Sequence, residues 1–400
     1  MKTRTLLCLA AVVLFASLSV ASAWLPYKQP IRGVNLGGLF IVEPWLQQDE
    51  WNSMGCGSQA SEFDCVLHLG QSAANAAFRK HWDTWITQSD IQEIASLGLN
   101  TIRIPLGYWI KEDLVYSDSE HFPQGALPYL ERVCTWARDA GLYIILDLHG
   151  APGAQQAQNA FTGQFAPTAG FYVSWQYERA IQWLEWMTQI VHTNSMHAYA
   201  NVGAIELVNE PLQNAASSQA QSMINSYYPN AWKRIRAVED RLGITPNNRL
   251  HIQMMDARWG SGNPNQALTD LYFALYDDHD YVKWTPNVAA NRDAYMRFSC
   301  HDDRGGNFPV IVGEWSLSTA DEDGSQFSLS NSDAVSWYRN WWAAQVMSFE
   351  KQTGWIFWTW KVNWIGGRDD WRWGYQQAVQ AGVIPKNPAE AYTYNACNGF

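Results

Sequence analysis

The sequence lacks any run of basic residues. Lys and Arg total 27 against 38 Asp and Glu, a formal net charge of −11 over 400 residues. A nucleic-acid partner needs a positive patch, so none is expected. The N-x-S/T sequon is absent, and with it the expectation of N-linked glycans. The 9 His residues show neither H-x-H nor H-E-x-x-H spacing, so no metal and no other cofactor is expected. The G-x-G-x-x-G turn, the P-loop and the G-x-S-x-G elbow are missing too, which removes the usual marks of dinucleotide, nucleotide and serine-hydrolase chemistry. No internal repeat, low-complexity tract or linker-like segment interrupts the chain. Beyond its first residues there is no apolar run long enough to cross a bilayer.

Those first residues read as a secretory signal. Lys2 and Arg4 precede the apolar core "LLCLAAVVLFASLSV", and "ASA" offers a cleavage site after Ala23. Residues 1–23 are therefore expected to be removed. Residues 24–400 are expected to form one exported domain, extracellular or cell-wall associated, monomeric and without membrane contact. Five cysteines then remain. Disulfides are permitted in that compartment, and an odd count leaves one thiol over. Cys134, inside the helical pattern "YLERVCTWARDAG", reads as the free one. Cys56 and Cys65 enclose a short polar loop and can pair locally; Cys300 and Cys397 would then tie the tail to the body.

What the chain has in excess is tryptophan, 23 residues spread along its length. Packing accounts for many of them. Flat apolar rings with a donor edge also suit the faces of sugars.

Short apolar runs alternate with helical patterns. Strand candidates cover 31–37, 100–106, 142–150, 202–210, 249–255, 270–281, 309–315 and 354–361. Helical stretches lie near 75–97, 126–140, 171–194, 217–242, 287–298 and 332–351, and long loops at 46–74, 150–170 and 256–269. In "SDIQEIASLG" an N-cap, a Glu three residues after Asp90 and a closing Gly98 frame one helix. Continuous apolar strands suit burial on both faces. Eight of them with intervening helices predict a single α/β (β/α)8 barrel, a TIM barrel, in preference to a doubly wound sheet.

A barrel gathers its functional residues where strands end. Those positions carry Asn35 and Glu43, Arg103, His149, Asn209 and Glu210, His279 and Tyr281, Glu314 and Trp360. Two carboxyl groups in unlike protonation states are what glycoside hydrolysis requires. Glu210 and Glu314, about a hundred residues apart, are the candidate pair. Arg103 and Tyr281 are placed to keep one of them ionised. Glu206 shares the strand parity of Glu210 but precedes it by about 13 Å; it and Asp147 read as buried, paired charges.

Seven ordered segments carry a resemblance: "RGVNLGGLFIVEPW" (32–45), "NTIRIPLGYW" (100–109), "LDLHGAPGAQ" (146–155), "IELVNEP" (205–211), "DHDY" (278–281), "VGEWS" (312–316) and "GWIFWTWK" (354–361). Together they resemble glycoside hydrolase family 5, within it the exo-β-1,3-glucanase group. The resemblance implies a retaining double displacement that releases glucose from β-1,3-glucan ends, with Glu210 as acid/base and Glu314 as nucleophile. It implies that Arg103 supports the nucleophile and that His149 and Asn209 bind sugar hydroxyls. It puts His279 and Tyr281 beside the nucleophile, Glu43 on the terminal glucose and Trp360 under the ring as a platform. The Cys300–Cys397 pairing also fits the family pattern. The insertion "AQQAQNAFTGQF" leaves Phe161 as the candidate sugar clamp, and the loop after "GEWS" lacks the usual cysteine. A related glucanase or glucosidase of β-1,6, β-1,4 or glucosyl-lipid linkage, a transglucosylase and an inactive glucan-binding protein are the alternatives.

Overall fold

The computed structural model describes residues 30–320, 325–363 and 370–400. The expected signal segment, residues 1–23, and part of the loop after Glu314 lie outside the described residues. Eight parallel strands close into a barrel in chain order: β1 (Ile31–Asn35), β2 (Thr101–Gly107), β3 (Tyr143–Gly150), β4 (Val202–Glu206), β5 (His251–Met255), β6 (Ala274–His279), β7 (Val310–Glu314) and β8 (Gly354–Phe357), with β8 pairing back onto β1. The predicted (β/α)8 architecture is the one observed.

Strand periodicity sorts the side chains. One set faces the helices and joins the large outer core. The other faces the barrel axis, where Ile31, Tyr143, Ile145, Ala204, Leu275, Ile311 and Ile356 form a separate apolar cluster. Two residues further along the same parity the interior changes character, with Asn35, Arg103, Asp147, Glu206 and Asp277, all fully buried. The apolar layer is a floor. The charged layer above it lies at the strand ends, where the functional residues were expected.

Several boundaries differ from the sequence reading. β4 stops at Glu206, so Asn209 and Glu210 lie in the bend beyond it rather than on a strand. β6 begins at Ala274 and β8 ends at Phe357, both shorter than the apolar runs that contain them. The stretch 75–97 is two helices, Gln71–Thr84 and Gln88–Ser96. The second opens on a capping box in which Thr87, not Asp90, is the N-cap, and Asp90 at the third position bonds back to it. The loop expected over 46–74 contains the helices Gln48–Ser53 and Glu62–Leu69. Cys56 bonds Cys65 and Cys300 bonds Cys397, leaving Cys134 as a buried thiol.

The closing seam is tight. Gly354, the first residue of β8, has φ +131°, and a Cβ added there would lie 2.0 Å from the Ile31 carbonyl oxygen. Only glycine fits such a backbone next to another backbone. Gly354→Ala is expected to cost at least about 3 kcal/mol and to lower the melting temperature; an unshifted thermal unfolding curve would show that the seam tolerates a side chain.

Candidate active site

The charged layer is built around Arg103 of β2. Its guanidinium is fully buried and donates to Glu206 (Nε to Oε2, 3.0 Å), Asn35 (Nη1 to Oδ1, 3.0 Å), Glu314 (Nη1 to Oε1, 3.0 Å) and Asn209 (Nη2 to Oδ1, 2.8 Å). Asp147 adds an ion pair at 2.9 Å. Burial works against the charge, but Asp147, Glu206, Asp277 and Glu314 outweigh it and hold Arg103 well above its ordinary range. Glu206 goes the other way. Burial pushes its carboxyl well above the usual range despite Arg103. The buried, paired reading of Glu206 and Asp147 matches these contacts.

Above this layer Glu210, His279 and Glu314 converge, one oxygen or nitrogen of each lying within 4.8 Å of the others. His279 Nδ1–H donates to Glu210 Oε1 at 2.7 Å and lies 3.6 Å from Glu314 Oε2. Burial disfavours a charged imidazole, yet Glu314 and Asp277 raise His279 well above its usual range. An imidazole nitrogen and two carboxylate oxygens would suit a cation at this spacing. An imidazolium, however, offers no lone pair to a metal.

Glu314 accepts on both oxygens, from Arg103 and from the Tyr281 hydroxyl at 2.8 Å. Burial pushes its carboxyl up, the charge of Glu210 adds to that, and His279 and Arg103 oppose it. Burial and the charge of Glu314 hold Tyr281 well above the ordinary phenol range, so it remains a donor. The donors fixed on both oxygens of Glu314 favour its anion.

The walls rise from loops into a cavity of about 780 Å³. Glu43 stands on one side, buried, accepting from the Trp45 ring N–H at 2.8 Å. His149 gives its Nδ1–H to Asp147 (2.7 Å), which turns its other nitrogen to the cavity it lines. Phe161 packs edge-on against His149. Asn209, its Oδ1 fixed by Arg103, keeps a buried Nδ2 without a protein partner.

The expectation for Trp360 needs correction. It is fully buried in the outer core, and its ring N–H is held by Asp90 Oδ1 at 2.9 Å. The ring in the cavity is Trp358, parallel to His149 at 5.6 Å. β8 ends at Phe357, so strand alternation does not extend to residue 360. Sequence reasoning also missed Trp45, Trp259, Trp284 and Trp373, all lining the cavity from loops. Their excess in the composition was the one available signal. Trp45 and Trp373 meet edge-on at 5.0 Å, and Trp284 stands 6.2 Å from Trp373 while 64% exposed.

The chain is similar to known proteins. The sequence pattern of the cellulase family, glycosyl hydrolase family 5, matches residues 66–363. A glucan endo-1,6-beta-glucosidase B of Emericella nidulans is 58% identical over 374 residues, covering 94% of this chain and 90% of its own. A glucan 1,3-beta-glucosidase of Blumeria graminis is 31% identical over 402 residues, covering 90% of this chain and 87% of its own. Among solved structures, a rutinosidase from Aspergillus niger shares the fold with a TM-score of 0.68 at 19% identity, over 89% of this chain and 98% of that one.

The buried acids set a pH dependence of stability. Burial pushes Glu43 and Asp280 up to about 7 and Glu62 up to about 8. In the unfolded chain such groups titrate near about 4. Between those limits the native state holds protons that the unfolded chain has released, so stability falls as pH rises. His251, which burial pushes down to about 4, acts oppositely below its unfolded value, near about 6.5. The net decline is therefore expected between about pH 6.5 and 8. Melting temperatures at the two ends measure it, and Glu62→Gln should flatten the slope; a chain more stable at pH 8 would contradict the assignment.

Proposed function

The chain belongs to the cellulase family, glycosyl hydrolase family 5, and from that premise we propose that it is a secreted, retaining endo-β-1,6-glucanase with Glu314 as nucleophile and Glu210 as acid/base. The spacing of Glu210 and Glu314, with nearest oxygens within 4.8 Å, is the observation that carries the chemistry. Retaining enzymes hold their carboxyl groups about 5–5.5 Å apart, whereas inverting ones leave about 6.5–9.5 Å for a water. The linkage rests on similarity. The relative named for endo action on β-1,6 bonds is 58% identical, the one named for β-1,3 only 31%. The expected exo-β-1,3 activity accordingly gives way to the alternative linkage.

The chemistry follows from the contacts. Glu210, protonated, gives its proton to the glycosidic oxygen as Glu314 attacks the anomeric carbon, and the leaving chain departs with a new hydroxyl. Arg103 and Tyr281 hold the attacking oxygens in place and carry their charge until the glycosyl ester forms. Glu210, now ionised, takes a proton from water, and the resulting hydroxide releases the sugar and frees Glu314. Asn209 Nδ2 is the unpaired donor for a ring hydroxyl beside the reacting carbon. Trp358 offers an apolar face to the ring and Glu43 accepts from its hydroxyls. The leader 1–23 supports export, and among the described residues no helix is long and apolar enough to cross a membrane.

Digestion of pustulan, a β-1,6-glucan, should yield a ladder of short oligosaccharides by chromatography, with little release from laminarin. Glucose as the sole product, from laminarin alone, would restore the exo-β-1,3 reading. Glu314→Gln should lower kcat by about 10³-fold or more while oligosaccharide binding, followed by calorimetry, persists. Turnover near the parent rate would remove Glu314 from its role and leave an inactive binding protein as no better an explanation.

A further inference from the structure

Two walls of the cavity come from the connections that follow strands, one of them through the short 3-10 helix Ala160–Thr162. Glu43 sits in the turns that follow β1, and Phe161 in the long loop after β3. Both touch the same short helix, Glu62–Leu69, which lies outside the catalytic layer.

Glu62 opens this helix yet is fully buried. A carboxyl in a helix's first turn normally faces solvent, and burying one is costly unless it is bonded. Its Oε1 accepts the backbone N–H of Val42 at 2.8 Å, one residue before Glu43. The nearby Trp109 ring favours its ionised form. That ring lies so close over Gly107, Gly150 and Gly163 that a Cβ at any of them would meet it at 2.2, 2.7 or 2.0 Å. Next in the chain, the Phe63 N–H donates to the Gly163 carbonyl at 3.0 Å, two residues past Phe161. A first-turn N–H has no partner inside its own helix, so it is available for this bond. The Cys56–Cys65 bond clips the helix to the segment after Gln48–Ser53.

We propose that Glu62 and Phe63, held by the Cys56–Cys65 closure, are positioning residues that fix the Glu43 wall and the Phe161 wall of the cavity relative to each other. The proposal rests on the reading of Glu43 as a sugar-binding residue. Neither Glu62 nor Phe63 lines the cavity; each acts through a neighbouring backbone. Loss of the brace frees the turn that carries Glu43 and admits water to its carboxyl. The groups facing Glu43 are His149, Trp45, Glu314 and Glu210, with burial the strongest influence on it. A loosened wall therefore lowers its titration toward the ordinary carboxylate range while the reacting pair stays in place.

The test is the kinetics of pustulan hydrolysis from pH 5 to 8 for the parent, Glu62→Ala, Glu62→Gln and the double variant Cys56→Ser, Cys65→Ser. Glu62→Ala and the double variant should raise KM about tenfold with kcat within about threefold, the mark of lost binding rather than lost chemistry. The inflection of KM near pH 7 in the parent should move to lower pH in both. Glu62→Gln keeps an oxygen for the Val42 N–H and should behave as the parent below pH 8. If Glu62→Ala fails to fold, the double variant carries the test. Unchanged KM and inflection in the folded variants would overturn the brace, as would kcat falling in step with melting temperature in Gln and Ala alike. Glu43→Gln separates the two layers of the reading. If it leaves KM and the inflection untouched, the role of Glu43 fails and the brace with it; if it alters them while the Glu62 and cysteine variants are silent, only the brace fails.

Discussion

One buried positive charge organises this molecule. Arg103 has no water to solvate it, so it can exist there only because Asp147, Glu206 and Glu314 surround it. Those carboxyls, in turn, could not all be held in the barrel without the guanidinium. The partners come from different strands: Asn35 from β1, Asp147 from β3, Glu206 from β4, Glu314 from β7. Closing the barrel and fixing the Glu314 carboxylate therefore go together. Arginine suits the task because it presents several donors in a rigid plane and does not lose its proton. A lysine would supply the charge but could not bond Asn35, Glu206, Asn209 and Glu314 together.

The same charge explains the order of layers. Below Arg103 the axis is filled by a mostly aliphatic layer that includes Ile31, Ile145, Leu275, Ile311 and Ile356. Above it, His279 adds a second cation between Glu210 and Glu314, with Asp277 behind. Burial tends to protonate Asp277, but His279 and Arg103 overcome that and hold it below its usual range. Positive and negative groups alternate outward from the apolar floor to the cavity, which lets so many ionisable side chains share a dry interior.

Much of this layer was legible in the sequence, because polar residues ending continuous apolar runs have few other uses. Arg103, Glu210, His279, Tyr281 and Glu314 are recognisable that way, and the barrel from the alternation of strands and helices. The apolar runs overstate strand length, however, since residues such as Leu207 and Val208 are buried without being in a strand. Trp358 and Trp360 stand two apart in one run, and only the end of β8 decides which meets the cavity. Trp259, Trp284 and Trp373 owe their places to contacts far along the chain, such as the Trp259 ring N–H on the Pro211 carbonyl, 48 residues away. No local pattern encodes those. Linkage was not legible there: the recognised motifs suggested β-1,3 action, whereas the relative named for β-1,6 bonds is the more similar one.

The two glutamates are held differently, and in the proposed roles the difference is functional. Glu314 ends a regular strand, with both oxygens bonded and its side chain 6% exposed. Glu210 sits beyond a strand, at φ +39°, with its side chain 17% exposed. A left-handed backbone is strained for a residue with a Cβ and persists only where neighbours enforce it. Gln155 and Gln156 do so by donating to the carbonyls of Asn209 and Glu210 at 3.0 Å each. A nucleophile needs one fixed line of attack. An acid that becomes a base must reach the leaving oxygen in one half of the reaction and a water in the other. The bend places Glu210 off the strand line, nearer the cavity mouth, where both can approach it. A carboxyl carried on the straight extension of β4 would point inward toward the layer that Arg103 already fills.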